Sequence, residues 1–185
     1  KVTGSETWDL GGKTVHRCKL GGYMIELVDK NASLTLSNVV IDGAECSVDA
    51  AHAAETDSII KAANGGTIVL NSGAILQNNK AAQFGSGILA NNGVNITMED
   101  GAIIRNNTNR NYELGGGILI GNRSTFTMNG GEISGNKATQ EGGAVHVLDK
   151  DCQFFLYDGK ITGNTSGDGG AIYLNQEPSW LIMQG

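Results

Sequence analysis

The sequence predicts an all-β fold: a right-handed, single-stranded parallel β-helix with three short strands in each coil of about 28 residues, and six to seven coils. Three observations lead to this prediction: glycine and asparagine are in excess, apolar residues alternate with polar ones, and one motif repeats along the chain. Glycine fills 28 and asparagine 18 of the 185 positions, and there is one proline. This composition excludes collagen, which needs abundant proline, and long helices, whose interiors disfavour both residues.

The repeated motif is Gly-Gly-x-apolar-x-apolar, a polar loop, a second apolar-x-apolar pair, a glycine turn and Ile-x-x-Asn. One isoleucine in each copy lies seven residues after the start of the second apolar pair, and successive isoleucines are separated by 34, 28, 30 and 28 residues. They are Ile41, Ile75, Ile103, Ile133 and Ile161. Constant inner spacing with loops of variable length is typical of a solenoid, in which strands stack while loops project outward.

Within each copy the apolar residues recur with a period of two, as in Leu34-Thr35-Leu36 and Phe126-Thr127-Met128. Such short strands bury their apolar sides only if successive coils stack as parallel strands about 4.8 Å apart, and right-handed connections are the rule for parallel strands. Two inward columns follow from this stacking. They are Ile60, Ile88, Ile118, Val145 and Ile172 on the first strand, and Leu34, Ile68, Ile96, Phe126, Phe154 and Trp180 on the second.

We expect residues 1–185 to form one β-helix domain that is a fragment of a longer surface protein. The last copy of the motif stops before its third strand, so we expect either that the natural polypeptide continues beyond Gly185 or that the final strand is disordered. Residues 45–57 are alanine-rich and interrupt the motif. They are predicted to form an inserted loop or a short helix.

The boxes Gly142-Gly143-Ala144-Val145 and Gly169-Gly170-Ala171-Ile172 resemble the repeat boxes of the polymorphic membrane protein family and related bacterial surface β-helices of the pectate-lyase-like superfold. That family pairs these boxes with Phe-x-x-Asn, where the present chain has Ile-x-x-Asn. The resemblance covers about residues 58–185. It implies a secreted or surface-displayed bacterial protein that serves in adhesion or display.

The outward column of the Gly-Gly strand is more apolar than a solvated face requires. We therefore predict a binding strip, in contact with a glycan or protein of a host or neighbouring cell. Its residues are Leu89, Leu119, His146 and Tyr173. The alternative interpretation is that a loop or another domain covers this strip.

A second repeated column is polar, and we interpret it as part of the scaffold. Stacked asparagine amides can bond to one another and to the turn backbone, which satisfies polar groups that would otherwise be buried without partners. The predicted column is Asn78, Asn106, Asn136 and Asn164.

No catalytic residue is predicted. A polysaccharide lyase needs clustered carboxylates for Ca²⁺ with a basic residue, and a glycosidase needs paired carboxylates. Here the only directly adjacent acids are Glu99 and Asp100, and Asp100 falls at a turn. The sequence favours a non-catalytic binding or display module. A fragment of a carbohydrate-active β-helix enzyme, such as a polysaccharide lyase or glycosidase, and a purely structural stalk are the alternatives.

The remaining predictions concern charge, cysteines and cofactors. The formal net charge is −6 without a basic run, which argues against nucleic acid, and no apolar run approaches the ~18 residues of a membrane span. We predict no cofactor and no metal, although Asp149-Lys150-Asp151 offers two carboxylates to Ca²⁺. Cys18 and Cys46 lie 28 residues apart, one coil, so that an oxidising compartment would allow a disulfide between them.

Overall fold

The structure is a computed structural model, and it describes residues 1–17, 21–45, 57–81, 84–109 and 114–184. Within these ranges the chain is all-β and forms a parallel β-solenoid of about six turns at a spacing of about 28 residues, which confirms the predicted fold class. In chain order the strands are β1 (Ser5–Arg17), β2 (Ile25–Leu27), β3 (Ser33–Glu45), β4 (Ile60–Ala62), β5 (Thr67–Leu70), β6 (Ala74–Gln77), β7 (Lys80–Ala81), β8 (Ile88–Ala90), β9 (Asn95–Met98), β10 (Ile103–Arg105), β11 (Thr108–Asn109), β12 (Ile118–Ile120), β13 (Thr125–Met128), β14 (Glu132–Ser134), β15 (Val145–Val147), β16 (Gln153–Leu156), β17 (Lys160–Thr162), β18 (Ile172–Leu174) and β19 (Trp180–Met183).

Three sheets run along the solenoid, one for each predicted strand of the coil. The first, called here the six-stranded sheet, has the order β18-β15-β12-β8-β4-β2. The second and third share β1 and β3, which are long enough to turn a corner. The seven-stranded sheet contains β1, β3, β5, β9, β13, β16 and β19, and the third sheet contains β1, β3, β6, β10, β14 and β17. All these pairs are parallel, and β7 and β11 form a small additional pair.

Both predicted inward columns are present, apart from the last residue of the second. Ile60, Ile88, Ile118, Val145 and Ile172 are successive register partners in the six-stranded sheet. In the seven-stranded sheet, Leu34, Ile68, Ile96, Phe126 and Phe154 are aligned in the same way. The rings of Phe126 and Phe154 stack with centroids 4.7 Å apart, and both are fully buried.

Trp180 was predicted to end the second inward column, and this is wrong. Its register partner is Gln153, and 52% of the residue is exposed, while Leu181 pairs with Phe154. The segment from Trp180 to Met183 is apolar at every position, so that alternation gives no register. The turn decides instead, because the Trp180 N–H donates to the carbonyl oxygen of Cys152 at 3.0 Å.

The predicted isoleucine column also needs a correction in two coils. Ile75 and Ile103 point outward and are half-buried, whereas Leu76 and Ile104, each one residue later, are fully buried. The corner before them is one residue longer than in the other coils, and the inner spacing there is eight instead of seven. The inward column is Ile41, Leu76, Ile104, Ile133 and Ile161.

Candidate functional site

The predicted binding strip is stacked in the expected order but is not an exposed surface. Leu89, Leu119, His146 and Tyr173 are successive register partners on the outward side of the six-stranded sheet. Leu119 is 1% and His146 is 0% exposed, and the other two are half-buried. The interpretation as an exposed contact surface is therefore wrong for the two central residues.

The Gly-Gly boxes explain this burial. A Cβ added to Gly142 would lie 2.8 Å from the Cβ of His146, and one added to Gly169 would lie 2.9 Å from the Cβ of Tyr173. Both glycines have positive φ, +67° and +59°, a conformation that side chains rarely adopt. The backbone of each box folds back over the outward side chain of its own strand. The doubled glycine is the sequence signal that could have indicated this.

His146 is the one buried imidazole among the described residues. Its ring lies 5.3 Å from the ring of Tyr173, and the nearest acid is Glu141, whose Oε2 is 3.8 Å from Nδ1. Neither ring nitrogen makes a hydrogen bond. Burial lowers the pKa of His146 below 6.5, and the negative charges of Glu141 and Asp149 oppose this shift without cancelling it. The imidazole is therefore neutral at pH 7.

This lowered pKa predicts a loss of stability in mild acid. The unfolded chain binds a proton at His146 more readily than the folded chain does, so that the free energy of unfolding falls as the pH decreases through 6.5. Leucine fits this column, since the register partner of His146 is the buried Leu119. The variant His146→Leu is therefore expected to lose this part of the pH dependence of stability. Urea unfolding midpoints at about pH 7.5 and about pH 5.5, one pH unit either side of an ordinary histidine pKa, measure it.

The exposed histidine His16 provides the control for that measurement. His16→Asn should keep the same fall in midpoint as the wild type. An identical fall in His146→Leu and in the wild type would contradict the assignment to His146.

A ladder of asparagine side chains crosses the corner that follows the third sheet. In each rung a backbone N–H donates to the Oδ1 of the next coil: Asn79 to Asn107 at 3.1 Å, Asn107 to Asn136 at 3.0 Å and Asn136 to Asn164 at 2.9 Å. The Nδ2 of Asn136 also donates to the carbonyl oxygen of Ile104 at 3.0 Å. These bonds satisfy backbone groups at a buried corner, as scaffold residues do.

The predicted asparagine column is thus correct for Asn136 and Asn164 and wrong for Asn78 and Asn106. The latter two lie one residue before the ladder, with φ of 60° and 55°. Glycines with similar positive φ, Gly135 and Gly163, hold this place in the later coils. The longer corner in these two coils shifts the register by one residue, and the Asn-Asn pairs in the sequence gave no means of choosing between neighbours.

The outward side of the seven-stranded sheet carries two columns of uncharged side chains, called here the neutral face. Every member is exposed or half-buried. In chain order they are Ser5 and Thr7, Ser33 and Thr35, Thr67 and Val69, Asn95 and Thr97, Thr125 and Thr127, Gln153 and Phe155, and Trp180 and Ile182.

Three aromatic side chains, called here the aromatic cluster, gather at the β19 end of the neutral face. The rings of Phe155 and Tyr157 are stacked, with centroids 6.0 Å apart. The register partner of Phe155 in β19 is Ile182, and Trp180 lies two residues before it. Trp180 is therefore the diagonal neighbour of Phe155 across the two strands. Tyr157 is 40% and Trp180 52% exposed. Exposed apolar groups that are contiguous mark interaction sites more often than scattered ones do.

Two cavities adjoin other parts of the solenoid. One of about 270 Å³ lies at its N-terminal end, lined by residues that include Trp8, Tyr23 and Arg17. The Arg17 guanidinium in its wall donates to the carbonyl oxygens of Gly22 and Asp57. The other cavity, of about 290 Å³, is a surface groove along the turns near Asp100, Gly130 and Asp158.

The cysteines and the candidate calcium ligands complete the predicted residues. Cys18 and Cys46 lie outside the described residues, as does residue range 46–56 of the predicted insertion. Cys152 is a buried free thiol, and burial raises its pKa. Asp149 accepts a hydrogen bond from the backbone of Asn122 at 3.2 Å, and Asp151 is exposed. Among the described residues no group of three or more His, Cys, Asp or Glu side chains is placed to hold a metal ion.

The class of this protein is defined by its fold, a parallel β-solenoid. No protein-family model, no curated protein and no solved structure matches the chain. The described ranges also contain no helix of the length and apolarity that crossing a membrane requires.

Proposed function

We propose that this protein is a non-catalytic β-solenoid module that binds glycans at the outer surface of a bacterial cell or in its surroundings. The observation that carries the proposal is the aromatic cluster of Phe155, Tyr157 and Trp180. Flat aromatic rings pack against the C–H-rich faces of sugar rings, and the exposed half of the Trp180 side chain is available for such a contact. The proposed binding surface is thus the seven-stranded sheet instead of the six-stranded one.

Glycans suit this surface better than a protein partner does. The cluster projects from a flat sheet with neighbouring hydroxyl and amide groups, such as those of Thr127 and Gln153, and these can donate to and accept from sugar hydroxyls. A standard protein interface instead buries about 800 Å² on each partner, which is more than three partly exposed aromatic side chains supply. Adhesion or display at a cell surface is the role that such a module would serve.

Alanine substitution in the aromatic cluster tests this function. Trp180→Ala and Phe155→Ala are each expected to weaken glycan binding about tenfold, which is the usual effect of losing a central aromatic contact. The measurement is binding to a glycan array followed by affinity gel electrophoresis with the polysaccharides that score. Phe84→Ala is the matched control, since Phe84 is an aromatic residue 39% exposed on another part of the surface.

Three results would contradict the proposal. The wild type could bind no glycan, which would favour the structural stalk. The two cluster variants could bind as tightly as the wild type and Phe84→Ala, which would remove the cluster from the site. The wild type and both cluster variants could bind a protein partner equally well and bind no glycan, which would mean that the protein acts through a protein interface outside the aromatic cluster.

A further inference from the structure

The neutral face extends over the whole length of the seven-stranded sheet. It begins with Ser5 and Thr7 in β1 and ends with Trp180 and Ile182 in β19. Six strand intervals of about 4.8 Å give it a length of about 29 Å along the solenoid axis. None of its fourteen side chains is charged.

This absence of charge is a property of one face and not of the whole surface. Charged residues make up 17% of the whole chain. On the outward side of the third sheet, Arg105, Glu132 and Lys160 are charged, and on that of the six-stranded sheet Glu26 and Lys61 form an ion pair at 3.4 Å. Strand propensity favours threonine and disfavours lysine and glutamate, yet the outward columns of the other two sheets carry both, so propensity alone does not account for the difference between the faces.

On the border that follows the strands of the neutral face the charged side chains are negative, whereas on the opposite border Arg123, two residues before Thr125, is exposed and positive. Asp9 follows Thr7 in β1, and hydrogen bonds from the backbone of Gly11 and from Asn38 lower the pKa of its carboxyl. Glu99 follows β9 in the same flanking column and accepts a hydrogen bond from Asn129 at 2.9 Å. The Asp9 and Glu99 border and the net charge of −6 would repel an acidic polymer lying on the face, and Arg123 on the other border does not balance them.

We propose that the ligand is an uncharged linear polysaccharide that lies along the solenoid axis, with sugar rings stacked on the aromatic cluster and the following units on the threonine, serine and asparagine columns. This inference rests on the proposed glycan-binding function and adds the class and orientation of the ligand. Successive strands are about 4.8 Å apart, so polar side chains recur at this interval along the solenoid axis. A polysaccharide that runs across the strands therefore meets a repeated set of hydrogen-bonding partners. The stacked columns run along the whole sheet, and a surface of this length suits a long chain better than a single sugar.

The test uses the whole chain and two kinds of polysaccharide. Affinity gel electrophoresis with mixed-linkage β-glucan and glucomannan represents uncharged polymers, and polygalacturonate and alginate represent acidic ones. The variant Asn95→Glu places a charge on the exposed middle of the neutral face, about 14 Å and three strands from Trp180. Thr162→Glu introduces the same charge at an exposed position of the third sheet and serves as the matched control.

We expect retardation by an uncharged polymer that does not change with salt, and about tenfold weaker binding by Asn95→Glu but not by Thr162→Glu. Oligosaccharides of that polymer should bind more tightly as they are lengthened beyond the trisaccharide. Retardation by the acidic polymers alone would overturn the ligand class. Affinity that is constant from the disaccharide upward, with Asn95→Glu unchanged, would overturn the lengthwise orientation while leaving the aromatic cluster as a glycan site. Binding to none of the polymers would overturn this inference together with the proposed function.

Discussion

Asn136→Ala is expected to lower the free energy of unfolding by about 3 kcal/mol, which corresponds to a fall of about 6–12 °C in the unfolding temperature. The Oδ1 of Asn136 accepts from both the backbone N–H and the Nδ2 of Asn107, at 3.0 and 3.1 Å. Its Nδ2 donates to the carbonyl oxygen of Ile104 and to the Oδ1 of Asn164. Alanine removes these four hydrogen bonds from the buried corner and leaves the Asn107 backbone N–H without its acceptor, while the Asn107 Nδ2 keeps its bond to the carbonyl oxygen of Leu76. Thermal unfolding followed by circular dichroism measures the change.

Asn106→Gly is the matched control for the ladder. Asn106 is exposed and has φ of 55°, and glycine occupies the same place in two later coils. We expect its unfolding free energy to stay within about 0.5 kcal/mol of the wild type, because glycine adopts positive φ without strain. If Asn106→Gly were the damaging change and Asn136→Ala the neutral one, the ladder described here would be wrong.

The second large effect is expected at the adjacent phenylalanines of β16. Phe154→Ala should lower the free energy of unfolding by about 3–5 kcal/mol, because its ring is fully buried against Phe126 and its removal leaves a cavity. Phe155→Ala should cost less than about 1 kcal/mol, since that side chain points outward. Urea unfolding of the two variants gives the comparison.

The same pair separates folding from binding. Phe155→Ala is expected to fold normally and bind glycans weakly. Purified Phe154→Ala should keep its binding surface at temperatures where it remains folded. Equal destabilisation by the two substitutions would contradict the alternation of inward and outward side chains in β16.

Much of the fold could be predicted from the sequence because strand alternation and a repeated motif are local signals. The columns of Ile60 and Leu34 were correctly aligned over five coils for this reason. Register failed where the local signal was ambiguous. The run Trp180–Met183 is apolar throughout, and the pairs Asn78-Asn79 and Asn106-Asn107 offer two identical neighbours for one place.

The candidate site could be predicted less well because exposure depends on tertiary contacts. Leu119 and His146 alternate outward as expected, yet the glycine boxes fold over them, and a pattern of alternating residues does not show what covers its outer side. The association of Phe155 with Trp180 and Tyr157 has no signal in the sequence as long as the repeat places Trp180 in the core.

The corner between the seven-stranded and third sheets has a consequence for how such a chain can change in length. Between the last inward residue of the seven-stranded sheet and the inward column of Leu76 and Ile133 in the third sheet, Leu70 to Leu76 spans one residue more than Met128 to Ile133, while the register on both sides is preserved. A single codon can therefore be gained or lost at this corner without rotating the side chains of either neighbouring sheet. The outward residues of one sheet can therefore change in sequence while the core and the other two sheets keep their register.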